Sequence, residues 1–142
     1  MTPRNGNRIA TAAKAGTIWA ADNDCFQGLH LGRWMKFLDK LSAAAVEGHW
    51  PLWVAAPDVV GDAAATLRQF AQWEPELRAR GLSVALVGQD GLTRDAVPWD
   101  RLDALFVGGS TAWKLSDDAA GLDHVSLRWP AAWRSCRLSG ST

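Results

Sequence analysis

The stretch Leu52-Trp-Val-Ala-Ala-Pro-Asp58 decides how this chain folds. Five apolar residues run without a polar break and stop at a proline and an acid. A strand with one wet face alternates apolar and polar side chains. A strand covered on both faces has no reason to, and such runs mark parallel sheets flanked by helices. Similar punctuation recurs along the chain. Thr17–Ala21 is a short apolar run ending at Asp22. Leu82–Val87 gives way to Gly88-Gln89-Asp90, and Asp103–Val107 to Gly108-Gly109-Ser110. These four segments are the predicted strands.

Helical periods lie between them. Leu31, Trp34, Met35, Leu38, Leu41 and Ala45 recur at the spacing of one helix face. Arg33, Lys36, Asp39 and Lys40 fall mainly on the other side, and Gly48 is the expected stop. After Gly61, Asp62 is the expected N-cap of a second helix. Its predicted buried stripe is Ala63, Leu67, Phe70 and Ala71. Pro75 is expected to kink or restart this helix, and Gly81 to end it. Another helix is predicted from near Thr111. Strand–helix alternation implies parallel strands joined by crossovers. The predicted class is therefore α/β, a partial (β/α)8 barrel of about four units. A closed barrel takes roughly 250 residues, against 142 in this chain. The expected organisation is an irregular lead-in over residues 1–16, the β/α domain over 17–122, and a poorly ordered tail over 123–142.

Composition narrows the function. Hydrophobic residues make up 48% of the chain, enough for a core, and the formal net charge is zero. A neutral chain is a poor candidate for charge-driven wrapping of nucleic acid, although an enzyme gripping one nucleotide through a small site needs no such surplus. Cys25 and Cys136 lack metal-ligand spacing and do not suggest a disulfide framework. The expected setting is cytoplasmic, with no apolar run of membrane-spanning length and no signal-peptide core in residues 1–16. His30, His49 and His124 show no ligand spacing, so neither a metal nor a cofactor is expected.

Every predicted strand ends in polar or glycine-rich sequence: Asp22-Asn-Asp24, Asp58, Gln89-Asp90, and Gly108-Gly-Ser110. Strand C-termini of parallel α/β folds share one face, and that face carries the site. Carboxylates accept from ring N–H and amino groups, an amide pairs in both senses, and glycine lets backbone come close. The set suits a flat heterocycle. Each member also has a plainer reading: Asp22 or Asp58 as turn former or cap, Gln89 as a solvated loop amide, and Gly108–Ser110 as a tight turn or a phosphate cradle.

Trp19-Ala-Ala-Asp-Asn-Asp-Cys-Phe26, Ala56-Pro-Asp-Val-Val-Gly-Asp62, Val87-Gly-Gln-Asp-Gly91 and Asp103-Ala-Leu-Phe-Val-Gly-Gly-Ser-Thr-Ala-Trp-Lys-Leu115 occur in this order. Over roughly residues 17–116 the chain resembles the tRNA-guanine transglycosylase superfamily, in particular its phage and bacterial 7-deazaguanine transglycosylase-like branch. The resemblance implies a (β/α)8 barrel that exchanges guanine in tRNA or DNA for a 7-deazaguanine. It implies that Asp22 serves in proton transfer and positioning, that Asp58 holds the base edge, and that Gln89 reads the base. It also implies that Gly108 and Gly109 line the pocket with backbone and that Phe26 packs on the base. The implied partners are the guanine or 7-deazaguanine base, a nucleic acid, and a partner chain that completes the barrel.

Three departures accompany it. Asp24 stands where the family usually has glycine. The family's nucleophilic aspartate belongs to a later strand, and Asp123 does not sit in matching sequence. The Cys/His zinc cluster of the tRNA-acting members is absent. A truncated or frame-shifted copy is the matching expectation. The alternatives are a non-catalytic purine-binding remnant and an unrelated α/β phosphate-binding domain using Gly108–Ser110.

Overall fold

A computed structural model describes residues 1–120. Its centre is a parallel sheet of β1 (Val54–Ala55), β2 (Val84–Gly88) and β3 (Ala104–Val107), in the order β1-β2-β3. Every residue of β1 and β2 is buried, as their unbroken apolar sequence requires. The helices are α1 (Ile9–Lys14), α2 (Leu31–Val46), α3 (Ala63–Ala79), α4 (Thr111–Lys114) and α5 (Asp117–Ala120). The chain is thus α/β with parallel strands.

The predicted first strand survives only in part. Ala21 forms an isolated parallel bridge to Val54. Three hydrogen bonds support it: Leu52 N to Trp19 O, Ala21 N to Trp53 O, and Ala55 N to Ala21 O, at 2.8–3.0 Å. The outer edge meets Met1 rather than another strand. The Met1 ammonium donates to Ala20 O at 2.8 Å, and Asp22 N donates to Met1 O at 2.7 Å. The lead-in is likewise structured, contrary to the expectation for residues 1–16. A 3-10 turn at Gly6–Arg8 runs into α1, and Ile9 is buried in the core. Burial of one isoleucine and pairing of Met1 are tertiary events that composition did not reveal.

Along α2 the buried residues are Trp34, Phe37, Leu38, Leu41, Ala44 and Ala45. Leu31 is exposed, and Phe37 and Ala44 replace it in the stripe. Along α3 they are Ala63, Thr66, Phe70, Trp73 and Leu77, while Ala71 faces outward. Pro75 lies inside one continuous α3 rather than restarting it. It is exposed, so its ring costs little packing, and the buried Trp73 and Leu77 hold the helix on both sides. Asp62 caps α3 as expected, its carboxylate accepting from Ala65 N at 2.8 Å.

Register assigns the two sheet faces. Val54 pairs with Val84, and Leu86 with Leu105. These residues join Phe37, Leu38, Phe70 and Leu77 in the core. Ala55, Ala85 and Ala104 point the other way, in line across the sheet. The Trp53 and Phe106 rings lie 5.8 Å apart. Their strands are about 10 Å apart across β2, so the rings meet over the central strand.

Charge gathers at the strand N-termini. Asp103 Oδ2 accepts from Val84 N at 2.8 Å and from Arg78 Nη1 at 2.5 Å, and Arg101 pairs with Glu74 at 2.7 Å. Asp103→Ala leaves the buried strand amide and the guanidinium without their shared acceptor. It is expected to lower stability by about 1–3 kcal/mol, read as a shifted urea midpoint; an unchanged midpoint refutes this role.

Candidate functional site

The other end of the sheet carries the candidate site. Parallel pairing sends β1, β2 and β3 out at the same edge, and Ala21 leads Asp22 and Asn23 there beside β1. Asp58 stands at its centre. Its Oδ1 accepts from Asn23 Nδ2 at 2.8 Å, and its Oδ2 accepts from Gln89 Nε2 at 2.5 Å. Asn23 Nδ2 also donates to Ala56 O at 2.7 Å, and Asn23 Oδ1 accepts from Cys25 N at 2.9 Å. Gln89 Oε1 accepts from Gly61 N at 3.0 Å. Two amide side chains thus clamp one carboxylate, and each also holds main chain on its far side.

Gln89 is 4% exposed, so the solvated-amide reading fails. Gly108 closes the arrangement. A Cβ there would stand 3.2 Å from Gln89 Nε2 and 3.1 Å from Gly88 O, so the bare backbone lets the amide pack against it. Gly109 has φ +73°, and a Cβ on it would meet Asp90 Oδ1 and the Trp113 ring at 2.6 Å. Asp90 Oδ1 accepts from Ser110 N at 2.6 Å. The Ser110 amide, a donor a phosphate cradle would use, already holds a carboxylate. That contact also keeps the Asp90 carboxyl below its ordinary range.

The remaining sequence-selected residues sit around this centre. Asp22 is exposed, and its Oδ1 accepts from Asn23 N at 2.8 Å. Its charge helps raise the Asp58 carboxyl. Phe26 is 80% exposed in a 3-10 turn, Cys25–Gln27, so its ring face is open to a partner. Asp24 adopts the left-handed conformation, φ 58°. That is the backbone a glycine takes at no cost and an aspartate tolerates, so the departure from glycine leaves the turn intact. Cys25 is buried, and burial pushes its thiol up to about 11; a hydrogen bond with the Asp58 backbone opposes the rise, and the charges of Asp58, Asp22 and Asp24 add to it. A thiol held neutral is a poor nucleophile.

Sequence reasoning selected Asp58, Gln89 and Gly108, and the structure brings them together. It missed Asn23, which is 5% exposed and supplies half of the clamp. Asn23 was visible inside Asp-Asn-Asp, but nothing in the local sequence points to a partner 35 residues away. Among the described residues no three His, Cys, Asp or Glu side chains group so as to hold a metal ion. None of the described helices is long and apolar enough to cross a membrane. Asp123, Cys136 and the predicted tail lie outside the described residues. No protein-family model, curated protein or solved structure matches the chain.

Two outcomes follow from this geometry. The Asp58 carboxyl titrates above its ordinary 3.8, chiefly because burial penalises its charge and despite the two amide donors. The folded chain then binds this proton more tightly than the unfolded chain. The group favours folding below pH 3.8, and that contribution is lost as pH rises through the folded-state pKa. Carboxyl NMR titration checks it, and a midpoint at or below 3.8 contradicts it. Gly109→Ala places a methyl group against Asp90 and Trp113 on left-handed backbone, so thermal unfolding is expected to shift down by several degrees, on the order of 1–3 kcal/mol. An unshifted melt would refute that constraint.

Proposed function

We propose that this chain binds a purine-type base, guanine or a 7-deazaguanine, at the Asp58 cluster, and that it belongs to the base-exchanging transglycosylase type. The observation that carries the reading is the convergence of Asn23, after the Ala21 bridge, and Gln89, after β2, on the Asp58 carboxylate after β1, with Gly108 after β3 packed against Gln89. A carboxylate offers about four lone-pair positions, and the two amide bonds account for one on each oxygen. In this reading the paired N–H groups on the edge of a guanine would use remaining positions. Phe26 supplies an exposed ring for stacking beside it.

The finer architecture in this reading is part of a (β/α)8 barrel. Sequential strand order supports it, because barrels add strands in chain order whereas open doubly wound sheets reverse at a switch point. The face carrying Ala55, Ala85 and Ala104 would turn inward, and a partner chain would supply further strands. The polymer bearing the base is tRNA or DNA.

In base exchange a carboxylate attacks the sugar C1′, guanine departs with the bonding electrons and gains a proton, and the incoming base reverses the step. In this reading Asp22, which is exposed and accepts from Asn23 N beside the clamp, exchanges that proton with bound base or water. Asp58 holds the base edge and does not attack. The attacking carboxylate is not assigned among residues 1–120.

Calorimetric titration with guanine and 7-deazaguanine tests the reading. Binding is expected, and Asp58→Asn is expected to weaken it by about 1–3 kcal/mol. Asp90→Asn is expected to leave base affinity unchanged, since that side chain serves Ser110 N. Equal affinity in the wild type and Asp58→Asn would sink the assignment. Release of labelled guanine from nucleic acid, with a trapped covalent adduct, identifies turnover; base binding without either identifies the non-catalytic form.

A further inference from the structure

Asn23 has a duty beyond closing the clamp. It is buried, 5% exposed, and its side-chain N–H groups are both engaged. Nδ2 carries two hydrogens. It donates to Ala56 O at 2.7 Å and to Asp58 Oδ1 at 2.8 Å. Oδ1 accepts from Cys25 N at 2.9 Å. The amide thus has no N–H left for a ligand. Two of its three partners are main chain, so it ties the Asp58 carboxylate to the exit of β1 and to its own turn.

These partners also fix which way the amide faces. Turned over, its oxygen would oppose two acceptors, Ala56 O and Asp58 Oδ1, and its NH2 would oppose the Cys25 N–H. An ionised aspartate has nearly the same shape but no hydrogen to give, so it too would oppose both oxygens. Position 23 therefore demands an amide rather than an acid. The surrounding charge sharpens the demand. Asp22 and Asp24 flank Asn23; the Asp22 charge disfavours that of Asp58, and Asp24 is paired with Arg4 at 2.6 Å. Cys25, next along, is held neutral. From the exit of β2 the uncharged Gln89 faces Asp58, and Asp90 is turned to Ser110 N. The groups that favour the Asp58 charge are the two amides and its own backbone, not a cation.

We propose that Asn23 is the positioning residue of this site: without touching the base, its amide holds the Asp58 carboxylate in one rotation, as an acceptor, for the N–H edge of the ligand. This role rests on the base-binding reading of Asp58 and adds to it the demand for an amide at position 23.

Carboxyl and side-chain amide NMR of the full chain, with calorimetric titration of guanine, tests the role across about pH 5 to 8, where folded proteins are ordinarily most stable. In the wild-type chain the Asn23 Nδ2 signals are expected to move with the Asp58 titration. In Asn23→Ala the Asp58 midpoint is expected to rise, because a donor to the charged form is lost. Asn23→Asp keeps the shape without the amide. Its two facing carboxyls titrate as a pair: while they share a proton, Asp58 still accepts from an O–H, and once both ionise they repel. Guanine affinity of Asn23→Asp is therefore expected to fall at least tenfold as pH rises, whereas wild-type affinity rises through the Asp58 titration and levels. A side chain with a merely structural role would lower the thermal melt without inverting that profile. Parallel profiles in the wild type and a folded Asn23→Asp, or an unmoved Asp58 midpoint in a folded Asn23→Ala, overturn the inference. If neither variant folds, wild-type Asn23 signals indifferent to the Asp58 titration overturn it alone. A wild-type chain that binds no guanine sinks the base reading instead; the Asp58 midpoint and the Asn23 signals then decide whether the amide positions the carboxylate.

Discussion

The clamp on Asp58 is the constraint on which the arrangement of this edge depends. One carboxylate accepts from two buried amide side chains that are distant in sequence. Asn23 belongs to the segment after Ala21, Gln89 to the exit of β2, and Asp58 to the exit of β1. Loops at strand ends have few backbone partners of their own, and a buried polar group left unpaired is costly. Here each group satisfies the next, so three loops take one shape together. The Gln89–Gly61 bond and the close approach of Gly108 extend the same network to the start of α3 and the exit of β3.

That network comes with an electrostatic cost, and the cost bears on chemistry. Burial raises the Asp58 carboxyl, Asp22 adds to the effect, and the amides oppose it. The carboxyl is thus easier to protonate than an exposed one. The same surroundings silence Cys25.

The two ends of the sheet divide the work. At the strand N-termini, Arg78, Arg101, Glu74 and Asp103 form ion pairs that fix strands to α3. At the C-termini the cations are few, and amides, acids and glycines dominate. The core between them is apolar and lies on one face, with α2 and α3 against Val54, Val84, Leu86 and Leu105. Such a division leaves the site edge free to carry buried polar groups that would weaken a core.

Much of this was legible in the chain order. Continuous apolar runs gave parallel strands, three-to-four spacing gave α2 and α3, and Asp62 announced its cap, because each follows from local geometry repeated along one segment. The choice of Asp58, Gln89 and Gly108 was also legible, since strand ends share an edge in any parallel sheet. The pairing of Asn23 with Asp58, the burial of Gln89, the docking of Ile9 and Met1, and the continuity of α3 through Pro75 were not. Each depends on contacts between residues far apart in sequence, whose energy exists only once the chain has brought them together.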